Sequence, residues 1–101
     1  MRIIARRIIE EFEVDHPDAI TSLETWFKLS KGKKWSRPAD IKNDQATASN
    51  LANNRVVFNI KGNDYRLVVA VDYQRFIFFI KFLGTHDEYD KIDATTQQYK
   101  E

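Results

Sequence analysis

Arg55-Val56-Val57-Phe58-Asn59-Ile60-Lys61-Gly62-Asn63-Asp64-Tyr65-Arg66-Leu67-Val68-Val69-Ala70-Val71-Asp72-Tyr73 decides the fold. β-Branched and aromatic residues fill both arms of this stretch, which predicts strands over 55–60 and 65–73. Lys61-Gly62-Asn63-Asp64 between them is turn chemistry. Glycine and asparagine tolerate positive φ, and aspartate stabilises turns locally. Gln74-Arg75 then links tightly to a third apolar run over 76–83, followed by Gly84 and a short acidic tail. Links this short force antiparallel neighbours, so the region reads as a three-strand meander. Alternation puts Tyr65, Leu67, Val69, Val71 and Tyr73 on one face and Arg66, Val68, Ala70 and Asp72 on the other. A helix layer belongs on the apolar face. The opposite face is expected to carry Asn59, Lys61 and Arg66, with Lys81 as a further candidate.

Upstream, the N-terminal third reads as helical. Ile4, Ile8 and Phe12 recur at i, i+4, i+8 and make one apolar stripe. Asp15-His16-Pro17-Asp18 breaks it, and Pro17 and Asp18 suit the first turn of a second helix. Ile20, Leu23 and Phe27 form the next stripe, flanked by Trp26. Lys28 and Lys31 favour its C-terminal end, and Gly32 is expected to take a left-handed stop. Residues 1–4 read equally as a helix start or a short strand. Residues 33–54 read as irregular, with weak helical character over 39–51.

The chain has 101 residues, room for one domain over 1–101 and no second core. Hydrophobic residues make up 43% and charged residues 31%, which excludes compositional disorder. No apolar run approaches a membrane span or a signal h-region, so no membrane is expected and a cytoplasmic protein is the default. The absence of cysteine removes disulfides and thiolate chemistry, and two histidines make a multi-His metal site unexpected. The net charge of +1 hides segregation: residues 1–27 sum to −3, residues 28–81 to +7 and residues 82–101 to −3. The basic middle suggests a polyanion partner, or else a solvated mixed surface.

Several side chains are candidates for chemistry. Arg66 lies mid-strand, where an arginine is either paired, with Asp72 or a tail carboxylate, or faces a site as a guanidinium fork for phosphate. In Thr85-His86-Asp87-Glu88-Tyr89-Asp90, His86 is the natural proton carrier near neutrality. A helical turn there puts His86 and Tyr89 on one face. Alternatively, Thr85 or Asp87 only caps a terminal helix while Tyr89 covers the core edge. Lys61 and Asn63 occupy a hairpin tip. Lys33, Lys34, Trp35 and Arg37 suit a nucleic-acid backbone with Trp35 stacking on a base, or Trp35 plugs the core instead. His16 reads as structural. No Gly-rich phosphate loop or nucleophile elbow is present.

Arg55 to Leu67, together with Gly84-Thr85-His86-Asp87-Glu88-Tyr89-Asp90, resembles the HigB toxins of type II toxin–antitoxin systems, which are similar to the wider RelE superfamily of messenger-RNA interferases. The resemblance implies an α+β, RelE-like fold. In it, a three-strand antiparallel meander and a short N-terminal strand pack on an N-terminal helix hairpin, with a short C-terminal helix. It implies a metal-independent and cofactor-independent endoribonuclease that cleaves messenger RNA on the ribosome, the 2′-hydroxyl attacking the adjacent phosphate to leave a 2′,3′-cyclic phosphate. On that basis Arg66, supported by Lys61, serves the phosphorane charge and His86 moves the proton. Tyr89 stacks or orients a nucleotide, and Glu88 is a secondary base or orienter. Asn59, Asn63, Lys81, Lys33, Lys34, Trp35 and Arg37 are expected to contact RNA. The implied partner is a helix-turn-helix antitoxin of the HigA type, with DNA bound only through it. A non-catalytic RNA-binding module and an inactive toxin kept as an antitoxin-binding protein are the alternatives.

Overall fold

In the computed structural model, residues 1–99 are described. The elements run β1 (Arg2–Ile4), α1 (Arg6–Asp15), a 3-10 turn (Pro17–Ala19), α2 (Ile20–Lys31), α3 (Pro38–Asp44), β2 (Ser49–Leu51), β3 (Arg55–Ile60), β4 (Tyr65–Asp72), β5 (Ile77–Thr85) and α4 (His86–Tyr89). The strands form one sheet in the order β1-β5-β4-β3-β2. The β3–β4–β5 meander is antiparallel, as its short links require. β1 joins it parallel to β5, pairing Arg2 with Ile77 and Ile4 with Phe79.

The parallel pairing settles the open reading of residues 1–4. Ile4 therefore belongs to a strand, and the α1 stripe starts at Ile8 and Ile9. It also explains why β5 is apolar on both sides: the strand is internal, with a neighbour on each edge. α2 is rotated relative to the predicted stripe. Ala19, Leu23, Trp26 and Ser30 are buried while Ile20 remains 40% exposed. Phe27 lies at the seam with α1, where the Arg6 guanidinium sits 4.2 Å over its ring. Gly32 ends α2 at φ −83°, not in the left-handed region, its N–H bonding to Leu29 O and Lys28 O. In the β3–β4 turn the positive φ values fall on Lys61 (51°) and Gly62 (64°), not on Asn63. Residues 33–54 contain α3 and the edge strand β2, both too short for periodicity to reveal.

The two sheet faces have different covers. Met1, Ile8, Ile9, Leu23, Trp26, Trp35 and Ile41 pack on Phe58, Leu67, Val69, Val71, Phe78 and Ile80 to form the main core. On the opposite face, Val57 and Val68 meet Ala94, with Leu51, Phe82, Tyr89 and Ile92 around them. The acidic tail is thus a folded cover. Arg55, 6% exposed, anchors it by donating from one guanidinium nitrogen to Ala94 O at 3.0 Å and to Gln97 O.

A bulge sets the register on β5. Val68 pairs with Phe82 but Val69 with Ile80, leaving Lys81 as the extra residue. The bulge shifts the alternation by one residue. Phe78, Ile80 and Leu83 therefore face or border the helix core while Phe82 turns to the second face. β5 also runs on through Gly84 and Thr85, past the expected end at residue 83, so Gly84 lies inside the strand.

Candidate active site

Arg66 lies on the second face. Across β3 it pairs with Asn59, and across β5 with Gly84. Directly opposite residues share a face, so these three form one row over three strands. Arg66 is half-buried, and its Nη1 donates to Asn63 O at 3.0 Å and to Tyr65 O at 3.3 Å. Its Cζ stands 6.0 Å from the centre of the Tyr89 ring. The salt-bridge alternative fails: Asp72 pairs instead with Arg75, at 3.3 Å, at the far end of β4. Among the described residues no carboxylate neutralises Arg66, so its charge remains available on this face.

α4 begins where β5 ends. Thr85 Oγ1 accepts from the Glu88 N–H at 3.1 Å, and Glu88 Oε1 accepts from the Thr85 N–H at 2.8 Å. This capping box starts a helix of one turn. It also corrects the expectation for Glu88, whose carboxylate is spent on the cap. The cap and the His86–Tyr89 face, posed as alternatives from the sequence, coexist. The His86 N–H donates to Asp64 O at 3.0 Å, tying α4 to the β3–β4 turn beside Arg66. The imidazole is 47% exposed, and its Nδ1 lies 3.1 Å from Asp90 Oδ2. A carboxylate on Nδ1 favours the tautomer that leaves Nε2 free to accept a proton. Asp90 was not singled out from the sequence, although its i, i+4 spacing from His86 was readable. His86, Asp87 and Asp90 each offer a ligand atom, all within 4.8 Å of one another and all exposed. One turn of helix with two acids brings such atoms together without an ion.

Other candidates lie elsewhere. Lys61 points to the helix face, opposite Arg66. Its Nζ is 2.9 Å from Asp18 Oδ2 and 3.6 Å from Asp64 Oδ2. Asp18 also accepts from Tyr65 Oη at 2.7 Å. The hydrogen bonds from Tyr65 and Lys61 hold the Asp18 carboxyl below its usual range, and the bond to Asp18 raises Lys61. Lys61 therefore staples the hairpin tip to the turn before α2 and does not stand beside Arg66, as the expected supporting role required. Trp35 is corrected too. It is 3% exposed, stacks 5.8 Å from Phe78 and donates from Nε1 to Asp44 at 2.7 Å, so it offers no ring to a base. Lys33 pairs with Asp44 and Arg37 with Asp40, each at 3.5 Å, while Lys34 lies 5.8 Å over Phe76. Phe76 and Gly84 lie about 26 Å apart along β5 at ~3.3 Å per residue. These cations therefore mark the end of the sheet away from Arg66. Lys81, at the bulge, bonds to Gln98 at 2.9 Å. His16 is structural as expected, stacked 4.1 Å from Phe12.

The structure thus gathers Arg66, Asn59, Asn63, Tyr89 and His86, with Asp90, at one end of the sheet. An RNA-facing arginine and a proton carrier on a one-turn helix, carried by a five-strand α+β sheet, define a toxin class. Residues 19–92 match the HigB toxin family, described as the RelE-like toxic component of a toxin–antitoxin system, and the chain belongs to that family. It is 26% identical over 103 residues to the mRNA interferase HigB of Escherichia coli O6:H1 strain CFT073, with both chains covered completely. The family has an antitoxin as partner, as its description states. Among the described residues no helix is long and apolar enough to cross a membrane.

Proposed function

We propose that this toxin is an endoribonuclease that cuts messenger RNA on the ribosome by attack of the 2′-hydroxyl on its own 3′-phosphate. The observation that carries the reading is Arg66: a half-buried guanidinium with no carboxylate on it, beneath Tyr89 and beside the His86 turn. In-line attack builds negative charge on the phosphorane, and a preorganised guanidinium stabilises that charge more than it stabilises the starting diester. The 2′-hydroxyl proton leaves to a base and the 5′-oxygen takes a proton, giving a 2′,3′-cyclic phosphate and a free 5′-hydroxyl. His86, oriented by Asp90, takes one of these proton transfers. Tyr89 stacks on or orients a nucleotide. Asn59 and Asn63 flank the row. Lys33, Lys34, Arg37 and Lys81 serve as outer backbone contacts that add affinity without sequence information. The antitoxin is of the HigA type, and operator DNA is bound only through it.

The test is induction in growing cells with primer extension on translated messages. Wild type is expected to arrest growth and to leave 5′-hydroxyl ends within coding regions. Arg66→Ala is expected to lower cleavage about 10²–10³-fold, the scale of losing a preorganised charge stabiliser. His86→Ala is expected to lower it by about 10²–10⁴-fold. Full toxicity in both variants refutes the site. RNA binding by wild type without any cyclic-phosphate product would favour the non-catalytic module instead.

A further inference from the structure

Between Arg66 and α4 the chain holds a position that only glycine fills. Gly84 is buried in β5, opposite Arg66. A Cβ there would lie 2.6 Å from Phe82 Cζ, 3.2 Å from Phe82 Cε2 and 3.0 Å from Glu88 Oε1. The bulge at Lys81 turns Phe82 to this face, and its ring lies along the strand over Gly84. From there the Phe82 ring reaches Tyr89, centre to centre 6.2 Å at 56°. Tyr89 in turn stands 6.0 Å from the Arg66 guanidinium. Phe82, Tyr89 and Arg66 form one column of contacts from β5 through α4 to β4.

The column matters because α4 has only four residues. A single turn has almost no stability of its own. The capping box fixes the start of that turn but not the ring at its end. Among the described residues the Tyr89 side chain makes no hydrogen bond, so packing against the Phe82 cluster sets its orientation. We infer that Phe82, admitted by Gly84, is a positioning residue that sets the Tyr89 ring against Arg66, so that both address the same nucleotide. This rests on the nuclease reading above. Without the Phe82 ring, Tyr89 rotates away while the sheet and Arg66 stay in place.

The experiment uses the full-length chain, with message cleavage in a translating extract and the ring resonances of Tyr89 by NMR. Phe82→Leu keeps apolar bulk and so preserves the fold. Its kcat is expected to fall about tenfold to hundredfold, the scale of a displaced catalytic contact, with KM within about twofold. The double variant Phe82→Leu/Tyr89→Ala is expected to be no worse than Tyr89→Ala alone, because a residue acting through Tyr89 contributes nothing once Tyr89 is gone. Gly84→Ala, which drives Phe82 off its place, is expected to match Phe82→Leu. Additive losses in the double variant, or wild-type kcat in Phe82→Leu, overturn the inference. If wild type itself leaves messages intact, the nuclease reading fails. The Tyr89 resonances then decide the positioning separately: unmoved shifts in Phe82→Leu overturn it, and moved shifts support it.

Discussion

Glu13→Gln is predicted to flatten the pH dependence of stability. Glu13 on α1 and Glu24 on α2 meet between the helices, with Arg6 donating to Glu24 Oε1 at 2.6 Å. Arg6 also lies 4.0 Å from Glu10 and stacks on Phe27. Its hydrogen bond holds the Glu24 carboxyl low. Glu13 has no such cation to itself. Burial pushes it up to about 7, helped by its hydrogen bond to the charged Glu24. The folded value thus lies above the unfolded value of 4.5, so the folded state binds this proton more tightly. Stability falls as pH rises from about 4.5 to 7, and the loss is complete above 7. The shift converts to at most about 3 kcal/mol, and since Glu13 is half-buried and solvent screens the pair, about 1–2 kcal/mol is the expected part. Glutamine keeps a donor for Glu24 and never ionises. At pH 8.5 Glu13→Gln is expected to be more stable by that amount, or about 4–16 °C in Tm for a domain of this size. At pH 4.5 the two proteins are expected to melt together. Thermal and urea unfolding by circular dichroism across pH 4.5–8.5 measures both curves. Parallel curves, or a glutamine variant less stable at pH 8.5, would refute the shared-proton reasoning. Activity is expected to stay unchanged, since the pair lies in the helix layer.

Three further outcomes follow from particular contacts. Arg55→Met removes the two bonds that tie Ala94 O and Gln97 O to β3. A loss of about 2–4 kcal/mol is expected from charge-assisted bonds at a buried site, with faster hydrogen exchange over residues 93–99. Trp35→Ala empties a buried site against Phe78 and is expected to cost about 3–5 kcal/mol in urea melts. If it folded normally and lost only RNA affinity, the plugging role would be wrong. Asp90→Asn keeps the shape beside His86 Nδ1 but removes the charge. It is expected to lower kcat about tenfold or more in single-turnover cleavage while barely moving KM.

The β3–β4–β5 meander was legible in the chain itself. Its strands follow one another through short links, and alternation, β-branched residues and turn residues are local signals. The His86–Tyr89 turn was legible for the same reason, since Thr85 and Glu88 cap it from three residues apart. What the tertiary structure decided is everything set by distant partners. Residues 1–4 became a strand because the free edge of β5, more than 70 residues away, offered a parallel partner. Lys61 moved from the expected phosphate site to Asp18 on the far side of the sheet, and Trp35 from a stacking surface into the core beside Phe78. One extra residue at Lys81 reversed which of Phe82 and Leu83 faces the helices, and so brought a ring under Tyr89. Periodicity reports which side chains share a face of one element. It carries no information on which other element will cover that face, because that is settled by the packing of the whole chain.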